Sequence, residues 1–440
     1  MINANFIAAI DLGTSHITGM LGKKNAGGAL SILACETESS AGCIKRGCVY
    51  NVDEAAGRIK SLITKLEMKL QPGSRIEKVY VGIGGQSIRS VEHTVSRMLE
   101  ADDVVTDGMI NRLYEECKTC KPDMLDVLDI VSPAYYLDGK LEPHPVGIPC
   151  KKIEARYKLI VGRPSLRQYM LKSIQKHARI DIAGIVVSPL ALDDVVLSED
   201  EKSMGCAVIN FGAGVTSLTV YKEGLLAGLC VIPLGGNLIT KDLKKLMNVV
   251  ETEAERIKQT YGSATANKDN DISIPVGSAD GIGIREIKLS DISPIIEARS
   301  QEILENVYAR LEEMGVMNAL GAGIIITGGA SALKNLKEAI HERLGKPVRY
   351  AAIRKGIVEK THPEADVATG LLYQGTENCV IIPPSPEQTK PPVVTEPADP
   401  PVTPDPHEQK SPKQPNTGGL LRKIKKTVKG MGQLFDEENT

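Results

Sequence analysis

The feature of this chain that most limits its fold is an internal repeat. The first copy occupies residues 6–35 and the second occupies residues 206–232. Each copy contains three short apolar segments, predicted to be strands, separated by turns that contain glycine. The predicted strands are Ile7–Leu12, Ile17–Leu21 and Leu30–Cys35 in the first copy, and Cys206–Phe211, Leu218–Lys222 and Leu225–Ile232 in the second. The matching order predicts a duplicated three-stranded meander, and hence two related domains.

The segments between the two copies predict both helices and strands. Residues 54–70 carry apolar side chains at steps of three and four, which is the spacing of a helix with one buried face. Asp53 is the predicted N-cap of this helix, and Lys78–Ile83 is a further predicted strand. A chain of 440 residues is too long for one ordinary domain. We therefore expect residues 1–380 to form an α/β body with large sheets.

The turn after the first strand of each copy is a candidate phosphate-binding loop. Gly, Thr and Ser offer backbone N–H groups and hydroxyls to phosphate oxygens, and no bulky side chain blocks the approach. Asp11 could hold a hydrated Mg²⁺ on those phosphates. Because Asp-x-Gly also occurs in ordinary hairpins, either turn alone is a weak signal. The candidate residues are Asp11, Gly13, Thr14 and Ser15 in the first turn, and Gly212, Gly214 and Thr216 in the second.

Two further segments are candidates for contact with a nucleotide. A predicted buried strand, Ile324–Ile326, runs into Thr327 and then into Gly328, Gly329 and Ala330. The glycines would let a nucleotide approach the backbone, or would serve only the close packing of a strand and a helix. Glu255 and Lys258 lie three residues apart on one predicted helix face, where they could contact a ribose and an adenine or form a surface ion pair.

Composition argues against several classes of function. Basic and acidic residues number 53 and 55, a net charge of −2, and the chain has no Trp and only 3 Phe. A chain-wide nucleic-acid binder with aromatic stacking platforms is therefore not expected. The first residues lack a signal peptide's basic and apolar regions, so the 9 cysteines are expected to be reduced. Cys117 and Cys120 have no second pair at zinc-site spacing, and we expect no metal there.

The last 60 residues have a different composition from the body. Twelve of the 25 prolines lie in residues 383–417, where apolar side chains are rare. Such a segment cannot bury enough surface to offset the entropy of ordering it, which predicts a disordered linker at 381–417.

Residues 418–435, beyond that linker, predict an amphipathic helix that binds a membrane surface. Apolar residues recur at steps of three and four, basic residues occupy the rest, and the segment carries a charge of +5. A basic localisation signal and a helix that docks on the protein's own body are the alternatives. The predicted membrane-contacting residues are Leu420, Leu421, Arg422, Lys423, Ile424, Lys425, Lys426, Val428, Lys429, Met431, Leu434 and Phe435.

In order and spacing, these segments resemble the actin-like ATPase superfamily. The matching elements are the Asp-x-Gly-Thr-Ser turn at 11–15, the second turn at 212–216, Glu-x-x-Lys at 255–258 and Thr-Gly-Gly at 327–329. Within the superfamily, residues 5–378 are similar to the FtsA family of bacterial cell division proteins. The supporting segments are Gly47–Asp53, 79–85, Pro145–Gly147 and Ile295–Arg299, and the tail is similar too.

The resemblance implies a two-lobed actin-like fold with ATP and Mg²⁺ between duplicated ribonuclease-H-like domains. It adds Asn210, Gly235 and Gly236 to the nucleotide site. It also implies that the 235–300 subdomain binds the C-terminal peptide of FtsZ, with Arg299 and Glu302 near the dock or merely on a solvated helix face. The implied segments are 1–76, 162–188 and 356–380 for the core of lobe one; 77–161 for an inserted subdomain; 189–234 and 301–355 for the core of lobe two; and 235–300 for the docking subdomain.

The chain departs from the superfamily pattern at two positions that usually carry carboxylates. Asn210 stands where the second turn usually begins with Asp, and Ser188 stands where hydrolytic relatives have Glu. A base that activates water needs a carboxylate or an imidazole near the γ-phosphate. We therefore expect ATP to be bound and hydrolysed slowly or not at all, and we assign no catalytic residue.

Three functions are consistent with this reading. The first is an adaptor that binds ATP, self-associates into protofilaments and tethers FtsZ filaments to the cytoplasmic face of the membrane at the division site, through anionic lipids and alongside other division proteins. The second is a PilM-like pilus-assembly platform, which would lack the linker and the amphipathic end. The third is a small-molecule kinase of the same fold, for which no catalytic carboxylate is found.

Overall fold

The fold is described from a computed structural model of the chain. The structure describes residues 5–383, except for 26, 41, 101–102, 267–270, 278–282 and 360–365. These residues belong to one unit, Met1–Pro384. The predicted helix at 418–435 and nearly all of the predicted linker at 381–417 lie outside the described residues. No helix in the described part of the chain is both long and apolar enough to cross a bilayer.

The strands and helices of the described residues alternate along the chain. The strands are β1 (Phe6–Leu12), β2 (His16–Lys24), β3 (Leu30–Ser39), β4 (Ile44–Lys45), β5 (Cys48–Val49), β6 (Arg75–Ile76), β7 (Lys78–Ile83), β8 (Arg89–Met98), β9 (Asp126–Leu137), β10 (Lys140–Leu141), β11 (Lys152–Gly162), β12 (Asp181–Val187), β13 (Cys206–Phe211), β14 (Thr216–Lys222), β15 (Leu225–Ile232), β16 (Ser273–Gly277), β17 (Ile284–Lys288), β18 (Gly323–Thr327), β19 (Val348–Tyr350) and β20 (Val380–Ile381). The helices are α1 (Val52–Glu67), α2 (Asp107–Lys118), α3 (Pro164–Leu171), α4 (Ser188–Val196), α5 (Glu199–Met204), α6 (Asn237–Leu246), α7 (Glu251–Tyr261), α8 (Leu289–Glu313), α9 (Leu336–Leu344) and α10 (Asp366–Gln374).

The predicted duplication is confirmed by the strand pairing. The first sheet has the order β12-β7-β1-β2-β3, in which β1, β2 and β3 are antiparallel neighbours and β7 and β12 are added in parallel. The second sheet contains the run β15-β14-β13-β18-β19 with the same pattern, three antiparallel strands followed by two parallel ones. Each copy of the repeat therefore supplies the meander of one lobe, with its first strand at the centre.

The second sheet lies between two apolar cores. Along β13, Cys206 and Val208 belong to the core that also contains β1 and α1, whereas Ala207 and Ile209 belong to the core of the second lobe. Successive side chains of a strand point to opposite faces, so an unbroken apolar run fits a strand that is buried on both sides.

The inserted subdomain begins later than the sequence predicts. Lys78–Ile83, placed in the insertion at 77–161, pairs with β1 and belongs to the sheet of lobe one. Strands β8 to β11 and helix α2 form the insertion around a third core. Cys230 on β15 pairs with Arg89 on β8, which joins these strands to the sheet of lobe two as one nine-stranded sheet. The sequence of an apolar strand does not show which sheet the strand joins. The assignment of Lys78–Ile83 to lobe one therefore depends on its observed pairing with β1.

Helix α1 covers the first sheet with the predicted apolar face. Its N-cap is Asn51, whose side chain accepts from the N–H of Glu54, and not Asp53 as the sequence suggested. Asn, Asp and Ser are about equally good caps, so composition does not choose between Asn51 and Asp53. Gly19 on β2 faces Leu62 and Leu66, and a Cβ at Gly19 would lie 2.9 Å from both side chains. This glycine lets the helix lie directly on the sheet.

Helices α4 and α10 pack closely against each other. A Cβ at Gly370 would lie 1.9 Å from the carbonyl oxygen of Ala191, so only glycine fits at this crossing. Asp193 on α4 is fully buried and accepts hydrogen bonds of 3.0 Å from Thr219 Oγ1 and from the Tyr221 hydroxyl, both on β14. Helix α4 is thereby bonded to the sheet of lobe two.

Candidate functional site

The first turn begins at Asp11, near the end of β1. The hydroxyl of Ser188, the first residue of α4, donates to Oδ1 of Asp11 at 3.2 Å. Burial raises the pKa of the Asp11 carboxyl to about 6, against a smaller lowering by the Ser188 hydrogen bond. Gly82 on β7 leaves the space for this pair, because a Cβ there would lie 2.5 Å from Oγ of Ser188. The carboxyl is therefore held in a fixed position next to the turn.

Two hydrogen bonds from other loops fix the shape of the first turn. Ser40 Oγ donates to the carbonyl of Gly13 at 2.7 Å, and the N–H of Gly47 donates to Thr14 Oγ1 at 2.8 Å. Because the hydroxyl oxygen of Thr14 accepts from Gly47, its proton is directed elsewhere and can be donated to a ligand. Ser15 is exposed, with Oγ 3.0 Å from Nδ1 of His16.

The second turn is held by the chain that enters α6. The N–H groups of Gly236 and Asn237 donate to the carbonyls of Gly212 and Ala213 at 3.0 and 2.8 Å. A Cβ at Gly235 would lie 2.7 Å from three backbone atoms of this turn. Gly235 and Gly236 thus lie next to the second turn. Gly236 stabilises the turn through a backbone hydrogen bond, and Gly235 permits the close backbone approach.

The two turns meet at Gly214 and Thr14. A Cβ at Gly214 would lie 2.6 Å from Oγ1 of Thr14 and 2.7 Å from its Cγ2, so only a glycine permits the contact. Among the described residues, no backbone carbonyl accepts from the N–H groups of Thr14, Ala213 or Gly214. Free N–H groups on two neighbouring turns suit the binding of an anion.

Glu255 and Lys258 of α7 lie beside the second turn. Lys258 Nζ donates to Glu255 Oε2 at 2.7 Å, to Thr240 Oγ1 at 3.0 Å and to the carbonyl of Gly236 at 3.3 Å. The Lys258 side chain is only 11% exposed, so this is not an ordinary surface ion pair. Thr240 also donates to Glu255 Oε2, and nothing in the sequence singled it out. Its position one helical turn after Gly236 is the feature of the sequence that could have suggested this contact.

The Thr-Gly-Gly segment, Thr327–Gly329, also lies beside the second turn. Gly328 has a φ of +87°, and a Cβ there would lie 2.3 Å from Oδ1 of Asn210 and 2.5 Å from the carbonyl of Phe211. Gly329 has no heavy atom near its Cβ position, so it faces open space. Ala330 lies against Gly236, since a Cβ on Gly236 would lie 2.9 Å from that of Ala330. The first glycine therefore serves packing, while the second leaves room for a ligand.

Some predicted residues lie outside this cluster. The hydroxyl of Thr216 is buried and donates to the carbonyl of Leu234 at 2.9 Å, so its proton is already used by the fold. Arg299 and Glu302 pair with each other on α8, and Arg299 Nε lies 2.6 Å from Oδ2 of Asp242 on α6. The predicted membrane-contacting residues are outside the described part of the chain. Within that part, no group of three or more metal-ligating side chains is found.

Two related lobes with facing glycine turns define an actin-like protein. The solved structure of a PilM–PilN type IV pilus biogenesis complex has the same fold, with a TM-score of 0.56 over 83% of this chain and 97% of that chain at 17% identity. This confirms the predicted fold class.

The sequence comparisons then give the family. The family model described as cell division protein FtsA matches residues 207–371. The cell division protein FtsA of Porphyromonas gingivalis is 36% identical over 378 residues, which cover 84% of this chain and 78% of that protein. The FtsA of Neisseria meningitidis serogroup B is 32% identical over 377 residues, or 84% and 89% of the two chains. The chain belongs to the FtsA family of cell division proteins.

Proposed function

We propose that this protein is an ATP-binding cell division adaptor, which tethers FtsZ filaments to the cytoplasmic face of the membrane and self-associates into protofilaments. The observation that carries the proposal is the meeting of the two turns at Gly214 and Thr14, one turn from each duplicated lobe. Family membership supports the role in division, and the protofilaments rest on the family alone.

The residues of the site fit a nucleotide and its cation. The N–H groups of Thr14, Ala213 and Gly214 and the hydroxyl of Thr14 would hold phosphate oxygens. Gly329 would face the nucleotide across open space, and Lys258 and Glu255 would lie at its ribose and base. Asp11 would hold Mg²⁺ through water. A cation beside a carboxyl whose pKa is raised to about 6 favours the ionised form, so metal and carboxylate stabilise each other.

The same geometry supports slow or absent hydrolysis of ATP. Ser188 and Asn210 stand where carboxylates would serve as bases, and neither a hydroxyl nor an amide takes up a proton near neutral pH. The Ser188 proton is moreover donated to Asp11. Asp11 is the remaining acid of the first turn, and its proposed role is to hold the cation. The bound ATP would then act as a structural ligand, which stabilises the contact between the two lobes and is not rapidly hydrolysed.

The proposed dock for the FtsZ C-terminal peptide lies on α6 and α8. Arg299 bridges the two helices through Asp242, which holds this face rigid. A cavity of about 630 Å³ is lined by residues from α6 to the start of α7, and its cationic lining residues are Lys241, Lys244 and Lys245. Lys244 is paired with Glu251 at 3.1 Å, whereas in the described residues no carboxylate pairs with Lys241 or Lys245. Such a surface suits a peptide with acidic side chains.

Residues 418–435 are proposed to bind the membrane. Five basic side chains near an anionic leaflet contribute about 5 kcal/mol at low salt, at about 1 kcal/mol each. Partial burial of the apolar face adds to this, which is enough for reversible attachment. Gly430 and Gly432 each weaken the free helix by about 1 kcal/mol, so it would fold on contact with lipid.

One reconstitution tests the adaptor. Fluorescent FtsZ is floated with anionic liposomes in the presence of ATP and the full-length protein, a form truncated after residue 417, or a Gly214→Val variant. We expect FtsZ to float only when residues 418–440 are present, and the variant to lose ATP binding while still floating by itself. Flotation of FtsZ with the truncated form, or none with the full-length protein, would disprove the tether. Failure of the full-length protein to bind the FtsZ C-terminal peptide would count against the adaptor and in favour of the pilus-type platform.

A further inference from the structure

A second polar cavity lies outside the nucleotide site. It has a volume of about 490 Å³ and is lined by three arginines, Arg46, Arg89 and Arg163, together with Gln86 and Ser87. Arg46 comes from the β4–β5 hairpin of lobe one, Arg89 begins the first strand of the insertion, and Arg163 follows its last long strand. Three segments that are distant in sequence thus place an arginine each at one cavity.

The charges of this cavity are not compensated by the protein. Among the described residues, no Asp or Glu lines it. Within the described residues, none of the three arginines forms an ion pair, whereas Arg156, Arg256, Arg343 and Arg349 each pair with a carboxylate. An adjacent cavity shares Gln86, Ser87, Arg89 and Pro233 with the first. Its other cations are paired, because Lys158 pairs with Glu92 at 2.9 Å and Arg310 pairs with Glu313 at 2.5 Å. Arg is always protonated, so the first cavity gathers three positive charges.

The backbone around the three arginines is fixed before any ligand arrives. Arg46 has a φ of +51°, its carbonyl accepts from the N–H of Gln86 at 3.2 Å, and its Nη1 donates to Gln86 Oε1 at 3.1 Å. The N–H of Arg163 donates to Ser87 Oγ at 3.1 Å. Arg163 is also the N-cap residue of α3, whose first turn has no side-chain cap. An uncapped helix start adds to the positive potential at this position.

From this juxtaposition we propose that the cavity binds a small phosphate ester with at least two negative charges. Guanidinium groups bind phosphoryl oxygens in pairs, which makes arginine the preferred residue for this group. The volume is within the range of small-molecule sites. Among the described residues that line it, Leu125 and Pro233 are the apolar ones.

The cavity shares two loops with the nucleotide site but does not overlap it. Gly47, next to Arg46, donates to Thr14 of the first turn. Pro233 is followed by Leu234, whose carbonyl accepts from Thr216. A phosphate ester bound here would contact both lobes and the insertion at once. Any effect on ATP affinity would be reciprocal, since coupling between two sites acts equally in both directions.

Titration calorimetry on the full-length protein, with inorganic pyrophosphate as the probe, tests this site. The titration is run with the nucleotide site saturated by a non-hydrolysable ATP analogue, so that pyrophosphate meets only the arginine cavity. We expect one pyrophosphate per chain. Arg89→Gln and Arg163→Gln should each weaken binding at least about tenfold, because a charge-assisted pair is lost. The matched control is Arg310→Gln in the adjacent cavity, which should change the affinity less than about twofold because Arg310 is already paired.

Three results would overturn the proposal: no binding at millimolar pyrophosphate, loss of binding when the analogue is added, or equal affinity in the arginine variants and the control. An Arg89→Lys variant keeps the positive charge but loses the two parallel N–H donors of the guanidinium. Its pyrophosphate affinity should lie between those of the wild type and Arg89→Gln. If the chain fails to bind the ATP analogue, the proposed adaptor is in question. Pyrophosphate binding by the arginine variants would still test whether this cavity binds phosphate esters.

Discussion

The hydroxyl of Ser188 donates a hydrogen bond to Oδ1 of Asp11, 177 residues earlier in the chain. The bond joins the first residue of α4 to the first turn of the proposed nucleotide site. It also fills a position at which hydrolytic relatives are expected to carry a Glu. A hydroxyl that is already donating to a carboxylate does not serve as the base for a water molecule, and this relationship leads to the first prediction.

Turnover of ATP should be slow. Since Ser188 and Asn210 replace the customary carboxylates, we expect fewer than about one ATP hydrolysed per chain per minute on purified protein. Phosphate release in steady state measures it, and the Gly214→Val variant shows how much of any signal comes from a contaminant. Turnover well above this limit that disappears in the variant would contradict the prediction.

Substitution of Gly214 should weaken nucleotide binding with little effect on the rest of the fold. A valine there places its Cβ within 2.6 Å of Thr14, so the two turns are forced apart. We expect ATP affinity to fall at least about tenfold, because a 1 Å displacement of binding groups loses their geometry. Fluorescent-nucleotide titration measures the loss.

The matched control for this substitution is Gly277→Val at the end of β16. Among the described residues, no heavy atom lies within 4 Å of the Cβ position of Gly277, and its φ is outside the left-handed region. ATP affinity should be unchanged in this variant. If both variants lose ATP binding together with thermal stability, the effect is one of folding and the facing turns do not explain it.

The carboxyl of Asp193 should make stability depend on pH. Burial raises its pKa to about 8, far above the ordinary value of 3.8, in spite of the hydrogen bonds from Thr219 and Tyr221. Between pH 4 and 8 the folded state therefore keeps a proton that the unfolded state has released. The free energy of unfolding loses up to about 1.4 kcal/mol per pH unit from this group as the pH rises, and the loss ends above about pH 8.

Urea denaturation of the wild type and of Asp193→Asn across this range measures that contribution. The difference between them should shift in favour of the variant as the pH rises, because the amide has no charge to desolvate. Asp194→Asn is the control, since Asp194 is partly exposed and accepts from Gln374 Nε2 at 2.6 Å. A difference that does not change with pH would show that Asp193 is not protonated in the folded state.

Membrane binding should depend on the basic residues of the tail and on anionic lipid. Removing two of the five basic charges through Lys425→Gln and Lys426→Gln should weaken binding to phosphatidylserine vesicles by roughly thirtyfold at low salt, at about 1 kcal/mol each. Vesicle co-sedimentation measures it. The linker substitutions Lys410→Gln and Lys413→Gln change the net charge equally and should have little effect. Equal losses in both pairs would mean that only net charge matters.

Binding of the FtsZ C-terminal peptide should require Arg299. Its alanine variant breaks the link between α6 and α8 and leaves Asp242 unpaired, so we expect peptide affinity to fall at least about tenfold. Fluorescence anisotropy with a labelled peptide measures it. Arg343→Ala, which breaks an exposed pair with Glu305 outside the predicted dock, should cost less than about 1 kcal/mol of stability and leave peptide affinity unchanged. Unchanged affinity in Arg299→Ala would place the dock elsewhere.

Sequence by itself determined the features that are local in origin. Alternation of side chains and glycine turns predicted both meanders, because strand periodicity and turn chemistry act over a few residues. The same holds for the apolar face of α1 and for the separation of the basic tail from a near-neutral body. Asp11 and the turn glycines were predicted in the same way, since a loop proposed to bind phosphate needs small residues.

Only the tertiary structure decided which distant segments meet. Lys78–Ile83 joins the first sheet, and Arg89 joins the insertion to the second, because strand pairing depends on partners far away in the chain. The hydroxyl of Thr216 donates to the carbonyl of Leu234. Thr240 accepts from Lys258, although no sequence motif predicted this contact. The three arginines of the second cavity come from residues 46, 89 and 163, and no spacing in the sequence connects them. Their unpaired charges exist only because the fold brings them together without a carboxylate.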